Sequence, residues 1–166
     1  MADKSLIQLS KRTAKVTNLN VKPERHGDEL EKRVDVSLEI VVNDAEIGML
    51  VRTRWDDAAK VLWDDKGHPQ FLDIEELYVD RVIEGECVLG IHNHEETLTF
   101  EGATLKKIRM RPLLGRSASL AFQVRIDPTG CSEELLDMQA DERCVFAFAA
   151  AEEEAKAGNE KQQALV

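Results

Sequence analysis

Apolar and polar residues alternate over much of this chain, and the alternation predicts strands. The cleanest run is 33–42, where Val34, Val36, Leu38, Ile40 and Val42 fall on one face and Asp35, Ser37 and Glu39 on the other. One side of such a strand meets a core and the other meets water. The run 119–126 alternates almost as cleanly, and Asp127-Pro128-Thr129-Gly130 closes it with turn residues. Shorter or broken alternations predict further strands at Leu77 and Val79, at Cys87, Leu89 and Ile91, and at Leu98 and Phe100. Others fall at Leu105, Ile108 and Met110, and at Cys144, Phe146 and Phe148. Val16, Leu19 and Val21 give an imperfect first strand, which Pro23 is expected to stop.

Helical signals are sparse. Residues 56–63 predict a short helix with Asp56 and Asp57 favourably placed at its N-terminus, ended by the turn residues of 64–69. Ser132 is expected to cap a second short helix through Met138. The rest of 44–72 carries no clear period. Many short strands, little helix and no βαβ alternation predict a mainly β fold, an antiparallel β-sandwich or barrel with one or two short helices. The boundaries expected are a flexible N-terminus over 1–13, one β-rich domain over 14–149 and an acidic, mobile tail over 150–166. The run Glu152-Glu153-Glu154 and its polar surroundings hold too little apolar surface to order themselves.

A chain of 166 residues suffices for one domain with a sizeable core. No apolar run has the length of a membrane span, and Met1–Ser5 lacks a signal-peptide pattern, so a cytoplasmic location is expected. Cys87, Cys131 and Cys144 stand in no metal-ligand spacing and suit a reducing compartment. The net charge of −10 is unevenly spread: +4 over 1–26, −12 over 27–100, +5 over 101–126 and −7 over 127–166. Such blocks fit a solvated surface, or a basic face that follows a phosphate backbone on an otherwise acidic molecule.

Candidate chemistry is thin. His92-Asn93-His94-Glu95-Glu96 offers metal-ligating side chains, to which His26 or His68 would have to be added for a zinc site. Its place between two strand patterns makes a hairpin tip the alternative, and nothing at a tip excludes water from a reaction centre. The pairs Asp56-Asp57 and Asp64-Asp65 are expected by chance in so acidic a chain. Gly-rich phosphate loops, nucleophile elbows and Cys-x-x-Cys motifs are absent, so neither an enzyme nor a cofactor is expected. Trp55 and Trp63, eight apart, are candidates for a hydrophobic anchor or for a stacking platform.

The stretch 106–116 carries more. On a strand, Lys107, Arg109 and Arg111 share one face at about 7 Å spacing, with Ile108 and Met110 on the other. Lys106, Arg116 and Arg125 extend the set. Such a row either tracks the phosphates of an extended single strand or pairs with acidic neighbours.

The segment 15–29 followed by 34–39, then 98–108, and the closing strand 119–126 with its short helix and last strand, resembles a group of small phage and prophage early-region accessory proteins. The resemblance spans most of 14–149 and rests on turns and strand alternation, so no functional residue carries over. It implies a protein of a bacterial host's cytoplasm in one of three roles. One is a single-stranded-DNA-binding module that assists recombination or replication. Another is an acidic inhibitor that mimics DNA toward a host defence or repair protein. The third is a virion component. Partners are then single-stranded DNA or a DNA-processing protein, and exposed strand edges allow a homo-oligomer.

Overall fold

The computed structural model describes residues 6–51, 54–71, 73, 76–128 and 130–151, with the side chains of Glu24, His26 and Leu30 left aside. Its strands are β1 (Leu6–His26), β2 (Glu29–Val42), β3 (Leu77–Val79), β4 (Ile83–Ile91), β5 (Thr97–Leu113), β6 (Ser117–Ile126) and β7 (Arg143–Ala151). Its helices are α1 (Asp44–Leu50), α2 (Trp55–Leu62) and α3 (Ser132–Asp141), one more than the sequence pattern predicts. Neighbours run β3-β5-β4-β7-β1-β2-β6, and β6 pairs again with β5. The circuit β5-β4-β7-β1-β2-β6 therefore closes on itself as an antiparallel barrel, with β3 added along β5. The mainly β expectation holds. Closure removes most of the open edges on which such sheets aggregate.

The barrel interior is filled by the apolar faces of the strands. Leu38 and Ile40 of β2, Leu120, Phe122 and Val124 of β6, and Phe146 and Phe148 of β7 are nearly inaccessible. Phe122 and Phe146 meet across it with ring centroids 5.1 Å apart. Because side chains alternate across each strand, the residues between these point outward. Among the described residues, no helix is long and apolar enough to cross a membrane.

Two expectations about the first strand need correction. Residues 6–13 are not a flexible leader: they form the first part of β1, paired with β7 from Leu6 opposite Ala151 to Thr13 opposite Val145. Residues 150 and 151 likewise end β7 rather than begin a tail. The register shifts between Leu9 and Arg12, so Ile7 and Leu9 face inward before the bulge and Ala14 and Val16 after it. Pro23 does not stop the strand either. Among the described residues, β1 pairs only with β2 beyond Lys15, and no strand lies along its other edge to receive the N–H that proline lacks. Leu72, Thr129 and the tail 152–166 lie outside the described residues.

Helix α1 packs on β1 and β6 and carries α2 against it, whereas α3 packs on β1, β4 and β7. Asn43 and Glu46 form a capping box on α1: Glu46 N donates to Asn43 Oδ1 at 2.9 Å, and Asn43 N donates to Glu46 Oε1 at 3.1 Å. Arg12 pairs with that same Glu46 and donates to the Val41 carbonyl at 2.7 Å, fastening α1 to β1 and β2. In α3 the cap position falls to Cys131, one residue before the Ser132 that sequence chemistry favours, and Ser132 is the first helical residue.

Candidate nucleic-acid interface

The outward side chains of adjacent strands line up in rows across the barrel wall. One row runs Tyr78–Arg109–Ala121–Glu39–Lys15, through β3, β5, β6, β2 and β1. A second runs Asn20–Asp35–Arg125–Thr104, through β1, β2, β6 and β5. Between them Ser37 faces Gln123, and Gln123 faces Lys106. Ala121 on β6 and Ser37 on β2 are short, and Lys107, Arg109 and Tyr78 on β5 and β3 are long.

The result is a groove of about 630 Å³. Tyr78, Lys107 and Arg109 form one side, and Thr17 and Glu39 form the other. Ala121, Gln123 and Ser37 line it between them. Strand spacing makes the distance from β5 to β2 about 10 Å. A second depression, of about 510 Å³, shares Glu39 and continues past Ser119 to Lys15 and Arg143.

The basic side is built by a bulge. Between Lys106 and Arg109, β5 has one residue more than the β6 segment it faces, and Lys107 takes a left-handed φ of +52°. Leu105 and Ile108 both stay in the core, so Lys106 and Lys107 both lie on the outer side. The expected face of Lys107, Arg109 and Arg111 is present, with Ile108 and Met110 inward. Arg109 makes an exposed ion pair with Glu76 at 3.7 Å, a contact of small net value that a phosphate can replace. Lys107 and Arg111 form no ion pair among the described residues.

Lys106 and Arg125 are differently occupied. Both converge on Asp35, which is 2% exposed although it stands on the outer face. Arg125 Nε donates to Oδ1 at 3.0 Å, Lys106 Nζ donates to Oδ2 at 3.3 Å, and Lys22 Nζ lies 3.5 Å from Oδ2. Burial pushes the Asp35 carboxyl up, but the Arg125 hydrogen bond and the charges of Lys106 and Arg125 outweigh it and hold it below the usual aspartate range. The same burial pulls the Lys106 amine down, against the raising effect of Asp35. These cations present less net charge to a ligand than their number suggests.

The remaining sequence candidates fall elsewhere. Arg116 lies in the β5–β6 turn, outside the groove, where Nη2 donates to Asp44 Oδ1 at 3.1 Å. Trp55 and Trp63 are 8% and 2% exposed, so neither offers a ring face to a base. They pack edge to face at 5.7 Å, and their indole N–H groups donate to Asp44 Oδ1 at 2.8 Å and to the Leu113 carbonyl at 2.6 Å. They anchor α2, and the stacking-platform expectation is thereby corrected. His92 and His94 lie in the loop that joins β4 to β5, where Asn93 has φ +67° and His94 N donates to the Ile91 carbonyl at 3.1 Å. Among the described residues, no three His, Cys, Asp or Glu side chains are grouped to hold a metal ion. The thiols are buried, and burial pushes Cys144 up to about 12.

Sequence pattern alone misses four contributors: Lys22, Asp35, Gln123 and Tyr78. Asp35, Gln123 and Tyr78 occupy outward positions of their strands, which only the register turns into neighbours of the basic residues. Comparison of the chain with protein-family models, with curated proteins and with solved structures returns no match.

Proposed function

We propose that this protein is a non-enzymatic accessory module that binds single-stranded DNA along the outward face of β5 and β6, in support of recombination or replication. The observation that carries the reading is the groove itself, with Lys107 and Arg109 on its side and Arg111 next along the same strand face. A trough about 10 Å across suits one extended strand, and a row of cations along one side suits its phosphates. The resemblance to phage early-region proteins agrees with such a role. The test is fluorescence anisotropy with a labelled oligonucleotide over a salt series. Affinity should fall with salt at a slope of about −0.7 per phosphate contact, hence about −2 for three cations. Combined Lys107→Ala, Arg109→Ala and Arg111→Ala should abolish binding. Binding that survives the triple change, or is absent even at low salt, removes the proposal.

A second reading, an acidic inhibitor that mimics DNA toward a host protein, is favoured by one feature. Asp56 and Asp57 of α2, Asp64 and Asp65 after it, and Glu84 and Glu86 of β4 are all exposed. Affinity capture from a phage-infected host distinguishes it: recovery of a DNA-repair or defence protein, lost on neutralising Asp56, Asp57, Asp64 and Asp65, supports this reading over the first.

A further inference from the structure

The geometry points to a base-binding position in the same groove, formed by Tyr78 and Gln123. It rests on the single-stranded-DNA reading and adds to it where a base sits and how it is read. Tyr78, the single tyrosine of the chain, is 64% exposed on β3 and stands directly opposite Arg109. Its ring belongs to the groove side that carries Lys107 and Arg109. A ring held on a strand beside two cations is the arrangement by which single-strand binders stack a base while gripping its phosphate.

Two strands further in, Gln123 lies between Ser37 and Lys106. Its Oε1 is buried with no hydrogen-bond partner among the described residues, and the strand register sets Ser37 and Lys106 on either side of the residue. With Oε1 unpartnered among the described residues, a half-turn about the last side-chain bond exchanges the amide's acceptor and donor ends, so the groove can be offered either. Every base edge provides the complement of one or the other. The site therefore holds a base without selecting which one, as a module coating arbitrary sequence requires.

The experiment compares a normal oligonucleotide with one of the same length carrying abasic sites, using the full chain and fluorescence anisotropy. The normal oligonucleotide should bind on the order of ten-fold more tightly than the abasic one. Tyr78→Leu should erase that difference by weakening the normal oligonucleotide only, without changing the salt slope. Tyr78→Phe should preserve it. Lys107→Ala should weaken both oligonucleotides and reduce the slope by about 0.7. Gln123→Leu should weaken poly-dA, poly-dC and poly-dT to similar extents, and selective loss of one overturns the tolerant amide. Equal binding of normal and abasic oligonucleotides, or equal loss of both in Tyr78→Leu, overturns the base site and leaves the backbone reading standing. Binding of neither oligonucleotide overturns both.

Discussion

Asp35 and Arg125 face each other across β2 and β6, with Nε 3.0 Å from Oδ1, on the outside of the barrel. A carboxylate so nearly inaccessible is stable as an anion because Lys106 and Lys22 stand beside the same pair.

Replacing Asp35 with Asn leaves three cations crowded without their anion. Removing one partner of a buried pair costs several kcal/mol. Here Lys22 and Arg125 keep some solvent, so about 2 kcal/mol is expected, read as a lower urea midpoint at unchanged m-value. The same substitution should tighten single-stranded DNA binding, since Lys106 stands opposite Gln123 of the groove and Arg125 is the next outward residue of β6.

Stability should also depend on acid. Burial pushes Asp35 and Glu46 up, but Arg125 and Lys106 in one case, and Arg12 and the Asn43 backbone in the other, hold both carboxyls below their ordinary values. The unfolded chain then binds protons before the folded one does. The stabilisation is complete above about pH 5 and is lost as pH falls through the depressed folded values. Thermal midpoints should be flat from pH 7 to about pH 5 and fall below it, with a shallower fall in Asp35→Asn.

Lys107 sets stability against binding. Its φ of +52° costs a non-glycine residue about 1 kcal/mol, and Lys107→Gly should recover a part of that. The glycine variant should melt higher and bind single-stranded DNA less tightly. A variant that melts higher and binds as well as the wild type would place the phosphates elsewhere.

Glu39 is the acidic side chain in the groove, opposite the basic side and shared by both depressions. A phosphate passing it is repelled. Glu39→Gln should improve affinity by up to about five-fold at low salt, the scale of an exposed charge pair, with the gain vanishing at high salt. Unchanged affinity at low salt would mean that the strand does not cross β2.

Trp63 provides the control. Trp63→Phe removes the donor to the Leu113 carbonyl and leaves that acceptor unpaired, which should cost about 1–3 kcal/mol. Because the ring is enclosed beneath α2, oligonucleotide affinity should not move.

The legible parts of this fold were those where strand period runs unbroken. β2 and β6 alternate without interruption, and their faces are read directly from Val34–Val42 and Ser119–Ile126. β1 is the opposite case: bulges after Leu9 and after Val16 each reset which residues face inward, so a continuous strand reads as a polar leader followed by a fragment. The helix α1 had a legible signal, Asn43 with Glu46 three residues later, but too few apolar turns follow to give it a period. The outward direction of Lys107, Arg109 and Arg111 was visible in the alternation. Their neighbours were not, because Asp35 and Lys106 are 71 residues apart in sequence and meet only through the register of β2, β6 and β5.

The place of β7 between β1 and β4 has a consequence for how the protein is made. A chain emerging from the ribosome has already delivered both neighbours before their shared partner exists, so the inner parts of β1 and β4 wait with bare backbone edges until β7 arrives. Residues 143–151 act as a latch on the finished wall. Until they leave the exit tunnel, the nascent chain is a template for pairing with its neighbours, and a chaperone has most to protect in that interval.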